Sequence, residues 1–368
     1  MLRKVDKILL ITSILLFIIG LVMIYSASSV TSFMKFKTTP YHFFNRQLLF
    51  FIASLIMSFI IIRFNTKTYG YISWFIIIGM IPLLAAVLLS GKMVNQARSW
   101  INILGIQFQP SEFAKVAAIV WVGSICTNKD RSLKTYLLLF SIIIIIAGLI
   151  LLQPDLGTTI LFLLIIFIMF MSLNISKKVK RNIILTAVGA GILIIFLLMN
   201  NGVQVFFKRQ LARFDFRNPC SEEKFYTTGA QVCNGYIAFN NGGLTGLGLG
   251  NSTQKYLYLP EAYTDFIFAI VVEELGLIVS IIILLMMFIV LWRIFIISKK
   301  SNTERGRLIC YGIFWYILLH IVINLGGVIG LIPLTGVPLP FMSYGGSFLI
   351  CLVISLTVVQ RVAIESKS

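Results

Sequence analysis

The acidic residues able to do chemistry in this sequence are few, and they gather in short stretches. Gln109-Pro110-Ser111-Glu112-Phe113-Ala114-Lys115 sets a carboxylate and an ammonium three residues apart, on one helix face where they can pair. Pro110 suits the first turn of that helix. Such a pair either pins the helix or forms a polar wall with Lys115 turned toward an anionic ligand. Gln153-Pro154-Asp155-Leu156-Gly157-Thr158 supplies a second carboxylate, read either as a helix cap or as a lining of the same outer cavity. Leu259-Pro260-Glu261-Ala262-Tyr263-Thr264-Asp265-Phe266 leads into a long apolar helix, with Glu261 and Asp265 four apart. Burial and the helix N-terminus act on Asp265 in opposite directions. That balance can leave a carboxylate ionised yet basic, as a general base must be. The plainer reading is a charge at a helix N-terminus. Glu273 and Glu274 follow in the same helix, and one of them is expected to face the interior and pair with a cation.

Other candidates carry less. His42 and His320 lack ligand-spaced partners and are expected to be structural. Of five cysteines, three fall in apolar windows as packing residues. Cys220 and Cys233 share a long polar loop, as a disulfide or as two free thiols. The glycine-rich run Asn241 to Ser252 follows no strand of a βαβ unit, so a nucleotide site is a poor reading. A flexible outer loop packing close to a substrate fits better. Pro338 to Ser347 breaks the helical pattern, as a loop buried in protein does.

These side chains must be held by membrane helices. The chain has 368 residues, 58% hydrophobic and only 12% charged, with a mean hydropathy of +0.96; soluble domains carry about 25% charged residues. A net charge of +18 then reflects the positive-inside bias and anionic lipid rather than nucleic acid. Apolar windows at 8–28, 47–63, 71–90, 112–127, 135–152, 158–173, 182–200, 264–297, 308–331 and 345–364 predict an all-α polytopic membrane protein of ten transmembrane helices. No cleavage site follows the first window, so it reads as a span rather than a signal peptide. Residues 1–368 form a single integral membrane domain, with a large extracytoplasmic loop, 201–263, between helices seven and eight. With both termini cytoplasmic, 19 of the 31 Lys and Arg fall on inside segments, as the positive-inside rule requires. The acidic candidates then lie toward the outer face.

The ordered set of segments resembles the SEDS family of shape, elongation, division and sporulation proteins, which includes FtsW and RodA. The residues that carry the resemblance are Tyr25-Ser26-Ala27-Ser28-Ser29, Arg98 to Lys115 with its QPSEFAK core, Gln153 to Thr158, and Gln231. Gly242 to Ser252, Leu259 to Phe268, Glu273-Glu274-Leu275-Gly276, Asn324 and Gly330 to Ser347 complete it. Gly246 to Ser252 and Leu339-Pro340-Phe341 look more like FtsW than RodA. The resemblance implies a ten-helix bundle that polymerises lipid II, the undecaprenyl-diphosphate-linked disaccharide peptide, at the outer face of the cytoplasmic membrane. It implies Asp265 as the essential carboxylate. Arg98, Gln109, Glu112, Lys115, Asp155, Gln231, Glu261 and Ser343 would line the substrate cavity. A divalent cation, Mg or Mn, and a class B penicillin-binding protein transpeptidase are the implied cofactor and partner, alongside other division or elongation proteins. No metal ligand is identified, and no nucleotide is expected. Two departures stand out: Tyr263 where the family usually has His, and Phe348 where it often has a second small residue after Gly-Gly-Ser.

The implied chemistry is inverting glycosyl transfer, with Asp265 as base and Lys115, Arg98, Arg213 or a metal at the leaving diphosphate. Two other readings compete. A lipid flippase would need polar residues through the full membrane thickness. A division scaffold would tolerate a neutral residue at position 265.

Overall fold

The computed structural model describes residues 4–94, 97–103, 106–126, 133–173, 180–182, 184–185, 189, 218–225 and 229–367. The long apolar runs form helices, because a helix satisfies its backbone internally where lipid cannot. They are α1 (Lys7–Met34), α2 (His42–Ile61), α3 (Thr66–Ser90), α4 (Pro110–Ile125), α5 (Leu133–Leu152) and α6 (Leu156–Met171). After a single turn, α7 (Glu222–Phe225), come α8 (Ala230–Gly242), α9 (Ile267–Lys300), α10 (Glu304–Val328) and α11 (Gly346–Glu365).

Nine of the ten expected windows coincide with one of these helices. The seventh, 182–200, lies outside the described residues apart from isolated positions. Seven of the described helices, α1, α2, α3, α5, α9, α10 and α11, are long and apolar enough to cross a membrane. The chain is a mostly helical, multi-pass membrane protein. Helices α4 and α6 have 16 residues each, which is short of the roughly 20 a perpendicular span needs.

Two segments outside the apolar windows carry structure. Between the windows ending at 90 and beginning at 112, β1 (Lys92–Val94), β2 (Ala97–Ile103) and β3 (Ile106–Phe108) form a small antiparallel sheet in the order β1-β2-β3. Its pairs include Lys92 with Trp100 and Ile101 with Phe108. β1 and β3 have three residues each and the seven of β2, ARSWINI, do not alternate strictly, so no period-two signal marks the sheet. The glycine-rich run is likewise no loose loop; it is built into α9.

Helix α9 holds 34 residues but is broken at Gly276, whose φ of 80° and ψ of 168° are non-helical. Glycine tolerates that conformation without steric cost. The backbone groups freed by the break are taken by the glycine-rich run. Leu247 N donates to the Glu273 carbonyl at 2.9 Å and Gly248 N to the Glu274 carbonyl at 2.9 Å. On the far side, Leu277 N and Ile278 N donate to the Gly243 and Leu244 carbonyls at 3.0 and 3.2 Å.

The core lies around α11. Its spanning window is 89% buried, against 11% for α2, so α11 is central and α2 peripheral. Helices α4 and α10 approach closely at Gly123, where a β-carbon would come within 2.6 Å of the Ile309 side chain. Small residues at such crossings let backbones meet where lipid offers no hydrophobic drive. At the end near the N-terminus, Asp6 caps α1 by accepting from Leu9 N at 3.0 Å. Its carboxylate also pairs with Arg293 of α9, and its backbone N–H donates to Gln360 of α11.

Candidate functional site

Pro110 starts α4 and points its first turn into the bundle, where Glu112 and Lys115 are both almost wholly buried. Lys115 Nζ donates to Glu112 Oε1 at 2.7 Å. The same ammonium lies 3.2 Å from His320 Nε2 of α10 and 5.7 Å from the Tyr316 ring centroid. The His320 Nδ1 stands 2.9 Å from the Tyr316 carbonyl. Glu112 Oε2 is buried and has no hydrogen-bond partner among the described residues, which is costly for a carboxylate oxygen. Removing one member of such a buried pair strands the other charge.

His320 is buried, as a structural histidine is, and its contact with Lys115 of α4 is one that no spacing to another histidine would have found. The signal was Tyr316, His320 and Asn324 at intervals of four, one polar stripe on an otherwise apolar helix.

Asp155 caps α6, accepting from Thr158 N at 3.1 Å. Its other oxygen accepts from Gln109 Nε2 at 3.3 Å, and Gln109 N donates to Ser347 Oγ at 2.9 Å. The helix-cap reading of Asp155 holds, and the same carboxylate ties the entrance of α4 to that of α6. The first turn of α6 also touches the loop before α11. A β-carbon on Gly157 would sit 2.7 Å from the Thr335 carbonyl oxygen, and one on the next loop residue, Gly336, 3.5 Å from Asp265 Oδ2. The Thr335-Gly336 segment thus lies between the Asp155 cluster and the Asp265 carboxylate.

The Asp265 segment is held from several sides. Glu261 has a positive φ of 56° and turns the chain. Thr264 Oγ1 donates to Glu261 Oε2 at 2.7 Å, and Phe266 N donates to the Glu261 carbonyl at 3.2 Å. Ser343 Oγ donates to the Thr264 carbonyl at 2.6 Å and accepts from Leu339 N at 2.8 Å. Tyr344 N donates to the Tyr263 carbonyl at 2.9 Å. Gln231 Nε2 of α8 reaches the Pro260 carbonyl at 3.3 Å. Asn324 Nδ2 donates to both the Asp265 and Val337 carbonyls at 2.8 Å. Ser343, Gln231 and Glu261 thus act on the backbone around Asp265. Asp265 itself is half-buried.

Both Glu273 and Glu274 are buried, not one of them alone. Glu274 pairs with Lys255 Nζ at 2.9 Å and accepts from Ser26 Oγ of α1 at 2.7 Å. Glu273 meets neutral donors instead: Ser252 Oγ, Thr253 Oγ1 at 2.8 Å and Asn241 Nδ2 at 3.0 Å. This is the side-chain half of the splice between α9 and the glycine-rich run. Cys220 and Cys233 form a disulfide that ties α8 to the segment before α7.

The two departures have structural counterparts. The Tyr263 ring packs 4.5 Å from Phe43 and 5.8 Å from Tyr344, centroid to centroid. Burial, and then the Glu261 charge, push its hydroxyl above the ordinary range, so it is poorly suited to move protons. The Phe348 ring covers His320 at 4.8 Å. Arg98 falls on β2, with its side chain outside the described residues, as is Arg213 entirely.

A preformed metal site needs three or more convergent donors. Among the described residues no three His, Cys, Asp or Glu side chains gather in that way. The described residues therefore hold no preformed cluster of that kind, whereas a cation carried on phosphate oxygens would need fewer protein ligands.

The chain matches the FtsW, RodA and SpoVE family model, described as cell cycle protein, over residues 6–368. It is 34% identical to a Bacillus subtilis protein named probable peptidoglycan glycosyltransferase FtsW, covering 100% of this chain and 92% of that protein. It is also 34% identical to stage V sporulation protein E of the same organism, over 98% of each. Among solved structures, one described as "Structural coordination of polymerization and crosslinking by a peptidoglycan synthase complex" shares the fold with a TM-score of 0.75. It is 22% identical and covers 98% of this chain and 97% of that one. The rod shape determining protein RodA of Thermus thermophilus superposes with a TM-score of 0.68 at 22% identity, over 98% of this chain and 96% of its own. With the family model reaching from the cap of the first helix to the last residue, the chain belongs to the FtsW, RodA and SpoVE family of cell cycle proteins.

Proposed function

We propose that this chain is a peptidoglycan glycosyltransferase that polymerises lipid II into glycan strands at the outer face of the cytoplasmic membrane, for septal wall synthesis in division. Both termini lie on the cytoplasmic side in this reading. A class B penicillin-binding protein is its partner. The curated relatives named as peptidoglycan glycosyltransferases, matched along almost the whole chain, support the activity. The observation that carries the site is the fixing of the Asp265 backbone by Asn324, with its carboxylate beside Gly336.

In the step proposed, the 4-hydroxyl of the acceptor GlcNAc attacks the anomeric carbon of the donor strand from the face opposite the diphosphate. The new carbon–oxygen bond forms as the bond to the diphosphate breaks. The hydroxyl proton passes to Asp265, and the lipid diphosphate leaves with the electron pair. A positioned base contributes on the order of 10²–10⁴-fold. Lys115, a buried cation at the start of α4, offsets the charge growing on the leaving group, with Arg98 and Arg213 as further cations. Gln109, Glu112, Asp155, Gln231, Glu261 and Ser343 shape the site around the two sugars. A divalent cation bound to the diphosphate would need only one or two carboxylates from the protein and would help offset the charge on the leaving oxygens.

The test is polymerisation of labelled lipid II by the purified protein with its transpeptidase partner and Mg²⁺ or Mn²⁺. Polymer from wild type and none from a folded Asp265→Asn variant is the expected result. Polymer from both removes Asp265 from the chemistry. Lipid II translocation in liposomes without any polymer would favour a flippase instead.

A further inference from the structure

Lys115 has three N–H donors and no acceptor. One goes to Glu112 Oε1 and one points at His320 Nε2. Among the described residues no oxygen or nitrogen takes the third. The other side of the pair is also incomplete, because Glu112 Oε2 is buried without a partner. A charge pair with an open donor and an open acceptor is a half-built polar site.

The hydrogen-bond partners fix the protonation of His320. The Tyr316 carbonyl can only accept, so His320 Nδ1 carries the proton. Nε2 then holds a lone pair, and the Lys115 ammonium donates to it. The ring is neutral, since a proton on Nε2 would face the ammonium directly. It is also clamped: Phe348 of α11 covers it at 4.8 Å and Tyr316 at 4.6 Å. The other titratable groups around the pair are Asp155 at the start of α6 and Cys351 of α11.

We propose that His320 is a positioning residue for Lys115: as a neutral acceptor it draws the ammonium toward α10 and leaves the third N–H directed at an anionic group of the substrate. Glu112 cannot do this alone. A lysine on a flexible four-carbon stem with one partner pivots about that partner, whereas two partners on different helices fix its direction. A neutral second partner adds that constraint without cancelling more of the positive charge. The assignment rests on the place given to Lys115 at the leaving diphosphate.

The test compares wild type with His320→Leu and His320→Gln. Glutamine sets a carbonyl oxygen close to where Nε2 lies, whereas leucine fills the space without an acceptor. Losing one hydrogen bond to a charged group is expected to lower kcat by about 10- to 100-fold, while KM moves less. His320→Gln should recover most of the activity that His320→Leu loses, and the loss in His320→Leu should exceed what its shift in thermal midpoint accounts for. A purely structural role would make activity follow the midpoint in both, and that result overturns the proposal. The second measurement needs no activity. The chain has two histidines, so 15N-histidine spectra resolve the His320 ring. A neutral ring protonated at Nδ1, with an Nε2 signal that shifts in Lys115→Met, is expected. A ring protonated at Nε2, or one indifferent to Lys115→Met, refutes the assignment. If wild type makes no polymer, the proposed reaction fails, and the spectra still decide whether His320 holds Lys115.

Discussion

Asn324 Nδ2 lies 2.8 Å from the carbonyl oxygen of Asp265, and the same amide group donates to the Val337 carbonyl at 2.8 Å. One side chain on α10 therefore joins the backbone of the proposed catalytic carboxylate to the loop that crosses toward Asp155.

Replacing Asn324 by Leu keeps the volume and removes both donors. One buried and one half-buried carbonyl would lose their partner, at about 1–3 kcal/mol for a buried group left unsatisfied. Activity should fall further than stability, because a misplacement of about 1 Å in a site can cost about 100-fold. Lipid II polymerisation and thermal unfolding of Asn324→Leu, measured together, check this; equal and small losses in both would show that the clamp does not position Asp265.

Glu273 accepts from Ser252, Thr253 and Asn241 while wholly buried. Glu273→Leu should strand these donors and detach the glycine-rich run from α9. Losing a network of this kind costs about 3 kcal/mol or more. Limited proteolysis in detergent should then cut between positions 243 and 258, where wild type resists. Glu273→Gln keeps an acceptor and should cut at an intermediate rate. A Leu variant as resistant as wild type would mean that the backbone bonds alone hold the run.

Asp6 gives a pH prediction. Burial works to raise its pKa, but the Arg293 hydrogen bond and charge, with the Leu9 N–H, outweigh it and leave the group below its ordinary 3.8. The folded pKa is thus depressed, so its contribution to stability is present above the unfolded value and is lost as pH falls through the folded one. The thermal midpoint of wild type should exceed that of Asp6→Asn at neutral pH. The gap should narrow once pH drops below about 3.8. A gap that stays constant to acid pH would deny the ion pair its effect.

Much of the fold was legible because long apolar runs have few alternatives to a helix in lipid. The windows at 8–28 and 345–364 find α1 and α11 to within a few residues at the starts. The Glu112–Lys115 pair was legible for the same reason, since three-residue spacing on a helix fixes who faces whom. His320 was not, because its partner comes from another helix and sequence separation says nothing about helix order in a bundle. The sheet at 92–108 was hidden because two of its strands have three residues each and the third lacks strict alternation. Glu273 was half-read: sequence points to a cation for a buried carboxylate, but several neutral donors from one loop serve as well.

The splice at Gly276 couples two parts of the chain in descent as well as in space. Four backbone hydrogen bonds match residues 243, 244, 247 and 248 to residues on either side of the helix break. Lipid cannot hydrate a peptide group, so the loop takes the place of water for an opened stretch of helix. An insertion in that loop would shift the match by one residue and leave dry peptide groups unpaired. Natural variants of this chain should therefore gain or lose residues on the Tyr256 side of the loop, while the count from Gly243 to Gly248 stays constant wherever the helix remains broken.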